Sequence, residues 1–279
     1  MSAPPTLPGR ELHADQVASF LSTMGFQYRI DDDTAWGTVV VDEYLRSAPH
    51  WPSPSALLTF ADVLIGVLAS RETAPRVSIT IDLSVHIVGS MPHGGELELS
   101  GRMVKVGRTV SIGSTDIRAR DSGALVARAV GTFAASPRPQ DVADSFPRQA
   151  SAGSTGRLGA TLAEHVGIEI VSPGVAEISL GPDRLNGTES LQGGLVALLA
   201  ETAAQGVATA TLGAPAVLDA LEVHYVAAAR VGPFRTRTRV LGPDALEVEV
   251  RDPGRDDRIV AVAVARTRPA PTRSDMVSP

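Results

Sequence analysis

From Asn186 to Thr202 the chain reads Asn-Gly-Thr-Glu-Ser-Leu-Gln-Gly-Gly-Leu-Val-Ala-Leu-Leu-Ala-Glu-Thr, a run whose residue types suit attack on an activated acyl group. Gly193 and Gly194 open an apolar stretch that reads as a helix. The first N–H groups of a helix have no intrahelical acceptor and sit at the positive end of its dipole, a suitable place for a developing oxyanion. Glu201, eight residues after Gly193, is a lone carboxylate in the apolar run and could act as base or nucleophile. Asn186 and Gln192 add amides able to hold a carbonyl or a water. Cleavage of a thioester calls for these three kinds of group: a polarising N–H, a carboxylate and polar anchors.

One helix cannot supply them all. Eight residues rise roughly 12 Å along a helix axis, too far for one acyl carbon to touch both Gly193 and Glu201. Two such helices lying antiparallel would suffice, because each carboxylate would then approach the other's start. The first half of the chain supplies the partner. Laying Ser55 on Gly194, an offset of 139, aligns Trp36–Ala69 with Val175–Ala208 without a gap. Val39 then meets Ile178, and Asp62 meets Glu201.

Apolar alternation after each carboxylate predicts strands at Ser78–Val88, Gly95–Val106, Thr109–Ala119 and Ala124–Ala134. Their counterparts are Ala216–Val226, Gly232–Leu241, Ala245–Arg251 and Arg258–Thr267. A short helix and a strand are expected ahead of each long helix. The helix starts differ between halves. Pro54, with no N–H, stands opposite Gly193, while Ser53 and Ser47 stand opposite Gln192 and Asn186. Asp62 facing Gly193 is therefore the favoured pair, with Glu201 and Thr202 facing the first helix as its rival.

The segment resembles the hotdog-fold thioesterases, in particular the phenylacetyl-CoA and 4-hydroxybenzoyl-CoA thioesterase branch. Their signature is Asn, then His-Gly-Gly, then Asp or Glu on the helix that follows. Asn186, Gly193, Gly194, Glu201 and Thr202 match it position by position, and Gln192 stands where the histidine usually does. The resemblance implies an α+β double hotdog, two antiparallel sheets each wrapping a long central helix, with sites formed between the two. It implies hydrolysis of acyl-CoA thioesters, with Asp62, Gly193, Glu201 and Thr202 as catalytic residues and Asn186, Gln192 and Gly194 as substrate-binding ones. Neither a metal nor a separate cofactor is implied, since CoA is part of the substrate. A homo-oligomer of the fused pair is expected. Gln192 and Pro54 also fit an alternative, a non-catalytic acyl-CoA-binding or regulatory protein. A hydratase ranks last, because no Asp followed by a nearby His accompanies either helix.

Composition narrows the remaining possibilities. At 279 residues the chain can hold two domains of ordinary size, and 43% hydrophobic residues suffice for two cores. Only 4% are aromatic, so those cores must rest on Val, Leu and Ala. A net charge of −6 without a basic block argues against nucleic acid. The lack of cysteine excludes disulfides and thiol catalysis, and the six histidines have no metal-ligand spacing. Met1–Arg10 has no apolar core of a signal peptide, and Ala56–Ala69 is too short to span a bilayer and contains Asp62. A cytoplasmic location with no membrane partner is expected.

Ser136–Arg157 is rich in Pro, Ser and Gly. It divides the chain into an N-terminal domain 1–137, a linker 138–157, a C-terminal domain 158–269 and a flexible tail 270–279. His93-Gly94-Gly95 mimics the family triplet but precedes a strand, so it reads as a hairpin loop. Lys105 and Arg108 read as solvated hairpin charges that could also meet CoA phosphates.

Overall fold

The computed structural model describes residues 24–138, 141–142, 149–151, 161–186 and 188–271. Two helices of 20 residues each, α1 (Pro54–Thr73) and α3 (Gly193–Leu212), form its centre. A single turn, α2 (Leu162–His165), precedes the second and starts with a capping box between Thr161 and Glu164. Ser53 caps α1 with Pro54 at its first position, whereas Gln192 precedes α3 without a side-chain cap. Gly213 ends α3 in the left-handed conformation, at φ 63°.

In the first half the strands are β1 (Gln27–Asp31), β2 (Thr34–Val40), β3 (Arg46–Ala48), β4 (Trp51–Pro52), β5 (Ser78–Ile87), β6 (Glu96–Val106), β7 (Val110–Ala119) and β8 (Leu125–Ala135). After β9 (Gln149–Ser151) the second half gives β10 (Glu169–Ser172), β11 (Val175–Ile178), β12 (Ala216–Tyr225), β13 (Phe234–Gly242), β14 (Ala245–Asp252) and β15 (Arg258–Pro269). Each of the eight strands read from alternation appears within three residues of its expected ends. The Ser53–Pro54 start and the Gly193 start repeat at the offset of 139, as do two 3-10 turns, Glu43–Leu45 and Pro182–Arg184.

The sheet departs from expectation. Instead of two sheets, thirteen strands form one, in the order β10-β11-β13-β14-β15-β12-β5-β8-β7-β6-β2-β1-β9. The seam is an antiparallel pairing of β5 with β12, in which Ser84 faces Glu222 and Asp82 faces His224. Pairing here satisfies backbone groups that two free edges would leave exposed. Within the expected linker, β9 pairs with β1 and Val142 bridges to Arg76. The short helix expected before β1, Met1–Arg10 and most of the tail lie outside the described residues.

Helix α1 is buried nearly all round, because the sheet wraps it and α3 packs along it. Leu57, Leu58, Phe60, Leu64 and Ile65 are all fully enclosed. Such a helix needs no polar stripe, which is why its sequence lacks amphipathic periodicity. Both long helices reach the length and apolarity of a membrane span, contrary to the shorter run read from sequence. Here that apolar surface goes into the core. On β5, Leu83, Val85 and Ile87 turn toward the helices, while Ser84 and His86 turn away.

Candidate active site

The two helices run antiparallel, and two contacts fix how. Near the α1 start, Glu201 Oε2 accepts from the Ser55 N–H at 2.7 Å and from the Ser53 hydroxyl at 2.9 Å. Near the α3 start, Gly194 lies against Thr59. A Cβ built on Gly194 would fall 2.1 Å from Thr59 Oγ1, and that hydroxyl is itself held by a 2.8 Å bond to the Ser55 carbonyl. Glycine at 194 is thus a condition of helix approach. We expect Gly194→Ala to cost about 3 kcal/mol of stability. Denaturant unfolding checks this, and adding Thr59→Ala should recover part of the loss, whereas additive losses would show that the contact is not the cause.

This crossing brings Asp62, one turn beyond Thr59, to the α3 end of the molecule. The Thr80 hydroxyl of β5 donates to Asp62 Oδ1 at 2.8 Å. Burial nevertheless dominates and pushes the carboxyl up to about 6, with the Thr80 bond opposing. At the end of β12 the Tyr225 hydroxyl donates to the Gly193 carbonyl at 2.9 Å. Burial raises the Tyr225 phenol well above its ordinary value, and the charge of Asp62 raises it further. Asp62, Thr80, Tyr225 and the first turn of α3 therefore form one cluster.

Gly193 and Gly194 bring backbone N–H groups that the helix itself cannot satisfy. Gln192, just before them, anchors its own N–H on the Arg184 carbonyl at 2.9 Å, and its Oε1 is buried without a hydrogen-bond partner. A buried amide oxygen in that state is a ready acceptor for a water or a ligand N–H.

Other residues singled out from sequence are occupied within the protein. Asn186 Oδ1 accepts from the N–H groups of Thr188 and Ser190 at 2.9 and 3.2 Å and from both their hydroxyls. It folds the loop leading to α3. Thr202 donates its hydroxyl to the Leu198 carbonyl of its own helix at 2.8 Å. Glu201 is only 3% exposed, and desolvation raises its carboxyl against the hydrogen bonds from Ser55 and Ser53. His93-Gly94-Gly95 does lie just before β6, but not in a hairpin: β5 and β6 are not neighbours, so the segment belongs to a crossover between strands that β8 and β7 separate. Lys105 and Arg108 are exposed at the β6–β7 hairpin. Among the described residues no group of three or more His, Cys, Asp or Glu side chains could hold a metal ion.

Sequence reasoning passed over Thr80 and Tyr225. Both sit on strands whose apolar alternation was recognised, and a polar side chain at an inward position such as Tyr225 was the available signal.

No protein-family model matches the chain, and no curated protein does. Solved structures do. An acyl-ACP thioesterase from Bacteroides thetaiotaomicron is 11% identical with a TM-score of 0.59, over 85% of this chain and 98% of that one. The tesB protein of Mycobacterium avium subs paratuberculosis is 13% identical with a TM-score of 0.58, over 91% of this chain and 100% of the other. A conserved protein with hot dog fold from Alicyclobacillus acidocaldarius is 13% identical with a TM-score of 0.54, over 91% and 99%. At such identities the likeness establishes architecture: the chain has a hotdog fold.

Proposed function

We propose that the protein is an acyl-CoA thioesterase of the double-hotdog form, similar to the phenylacetyl-CoA and 4-hydroxybenzoyl-CoA branch, with its working site at the α3 end. The observation that carries this reading is the carboxyl of Asp62, raised to about 6 and clustered with the start of an uncapped helix. A carboxylate in that range is a better base at neutral pH than an ordinary one. The Gly193 N–H polarises the thioester carbonyl, helped by the dipole of α3. Asp62 then removes a proton from an attacking water, or attacks directly to give an anhydride that water opens; thiolate leaves in either case. Gln192 Oε1 holds the water or the amide of the substrate, Gly194 adds a second N–H, and Asn186 keeps the loop in place. The thioester neighbours, which include acyl-ACP enzymes, support thioester hydrolysis as the class of reaction.

At the α1 end, Pro54 has no N–H to offer, and Glu201 is engaged by Ser53 and Ser55. Glu201 with Thr202 is therefore assigned to holding α1, not to chemistry. The chain is proposed to be cytoplasmic and to form a homo-oligomer, with no nucleic-acid or membrane partner and no cofactor. The experiment is thiol release from short, medium, long and aromatic acyl-CoAs. Turnover of any of them supports the reading. Saturable binding without turnover would instead make this a CoA-ester-binding protein.

Tyr225 provides a second handle on the site. Tyr225→Phe removes the bond to the Gly193 carbonyl and is expected to cost about 1 kcal/mol of stability. Because that hydroxyl donates to the Gly193 carbonyl and not to Asp62, the acid limb of the rate profile should stay in place. A shift of that limb would show that Tyr225 also acts on the carboxyl directly.

A further inference from the structure

The two ends of the molecule differ in more than their helix starts. Beside Trp51, just ahead of α1, a cleft of about 590 Å³ opens over the outer face of the sheet. Its floor is Ala220 of β12, which has Arg266 of β15 on one side and His86 of β5 on the other. A small residue between two long ones is what makes the depression. Strand register shows what stands at the other end. Ala220 pairs with Arg266 as Asp82 pairs with Thr132, and Val217 pairs with Arg268 as Ile79 pairs with Ala134. Ser190 takes the place of Trp51 at the offset of 139. The guanidinium groups and the indole are thus confined to the α1 end.

Their arrangement has a definite chemistry. Trp51 is fixed by its Nε1, which donates to the Leu218 carbonyl at 2.8 Å. The Arg268 guanidinium lies 5.2 Å above the indole centroid, and its side chain remains 47% exposed. A guanidinium backed by an aromatic ring presents its free face as a flat stacking surface. Asp219 Oδ1 is buried and accepts no hydrogen bond, since Arg268 Nη1 stands 3.9 Å away. Such an acceptor calls for an N–H donor. Burial also raises the Asp219 carboxyl, against the pull of Arg268 and Arg266. Arg266 is ion-paired with Asp244 at the surface, a contact that an incoming anion can replace.

We propose that this cleft binds a nucleoside diphosphate with an amino-substituted base, of the adenosine diphosphate class. The base stacks on Arg268 and its exocyclic amine donates to Asp219 Oδ1. The diphosphate lies over Ala220 between Arg266 and His86. In a chain built from two similar halves, one end then carries the carboxylate cluster and the other a nucleotide site. The inference does not depend on Asp62 being catalytic.

Calorimetric titration of the full chain with ADP, adenosine and pyrophosphate tests it. ADP should bind one per chain and more tightly than either fragment. Arg266→Ala should weaken ADP and pyrophosphate roughly tenfold while sparing adenosine. Arg268→Lys keeps the charge but loses the flat surface, so it should weaken ADP and adenosine while sparing pyrophosphate. Both side chains are about half exposed, so melting should be unchanged. Asp62→Asn should leave all three titrations as they were. No heat with ADP, or ADP binding lost in Asp62→Asn and kept in both arginine variants, would overturn the proposal. Nucleotide binding with no thiol release would leave the cleft standing and remove only the thioesterase reading.

Discussion

Asp62→Asn is expected to lower thiol release roughly a thousandfold and, at the same time, to make the protein more stable at neutral pH. Both effects follow from one carboxyl. As base or nucleophile Asp62 must be ionised, and it titrates at about 6, so kcat/KM should rise through that pH and level off above it. The stability effect has the opposite sense. The folded pKa lies above the ordinary aspartate value of 3.8, so the folded state holds the proton more tightly than the unfolded one. That contribution is fully present below the unfolded value and is lost as pH rises through about 6. Above it, the ionised group costs as much as about 3 kcal/mol.

Asparagine has the same shape, still accepts from Thr80, and does not ionise. The variant should therefore melt higher than wild type at pH about 8, with the advantage fading at pH about 4. Equal melting at both pH values would mean that the carboxyl is solvated and has no raised pKa. Full activity in the variant would remove Asp62 from the chemistry. A site that destabilises its own scaffold is expected where function, rather than folding, retains the residue.

Much of this was legible in the chain itself. The two helices follow from long apolar runs and the eight long strands from apolar alternation, both local properties, and the offset follows from laying one half on the other. Antiparallel crossing was legible from one length, since eight helical residues separate Gly193 from Glu201. The single sheet was not. Ser84 and Glu222 at the β5–β12 seam are polar and face outward, which says only that this face is wet; the pairing of two edges is a tertiary event with no periodicity of its own. The partners of Asp62 were hidden for a similar reason. Thr80 and Tyr225 meet it only once the sheet has wrapped the helices, and their strands are 18 and more residues away in sequence. Asn186 shows the converse. Its type and spacing suggested a ligand contact, yet four donors from its own loop already fill its oxygen.

Glu201 separates the two ends of the molecule by experiment. It is 3% exposed and accepts from a backbone N–H and a hydroxyl at the start of the opposite helix, as a cap supplied from across the core. Glu201→Ala leaves the Ser55 N–H and the Ser53 hydroxyl without this acceptor and opens a void between α1 and α3. The expected loss is about 4 kcal/mol. Glu201→Gln keeps an oxygen in place and should cost only about 1 kcal/mol. Because Asp62 stands at the other end, thiol release per folded molecule should be nearly unchanged in Glu201→Gln, measured where unfolding curves show it fully native. Loss of turnover in that variant with its melting intact would place the reaction at the α1 end, with Glu201 as the carboxylate. Loss of stability with turnover retained would identify Glu201 as the group that holds α1 in register, the role left for a duplicated acid when the helix it faces begins with proline.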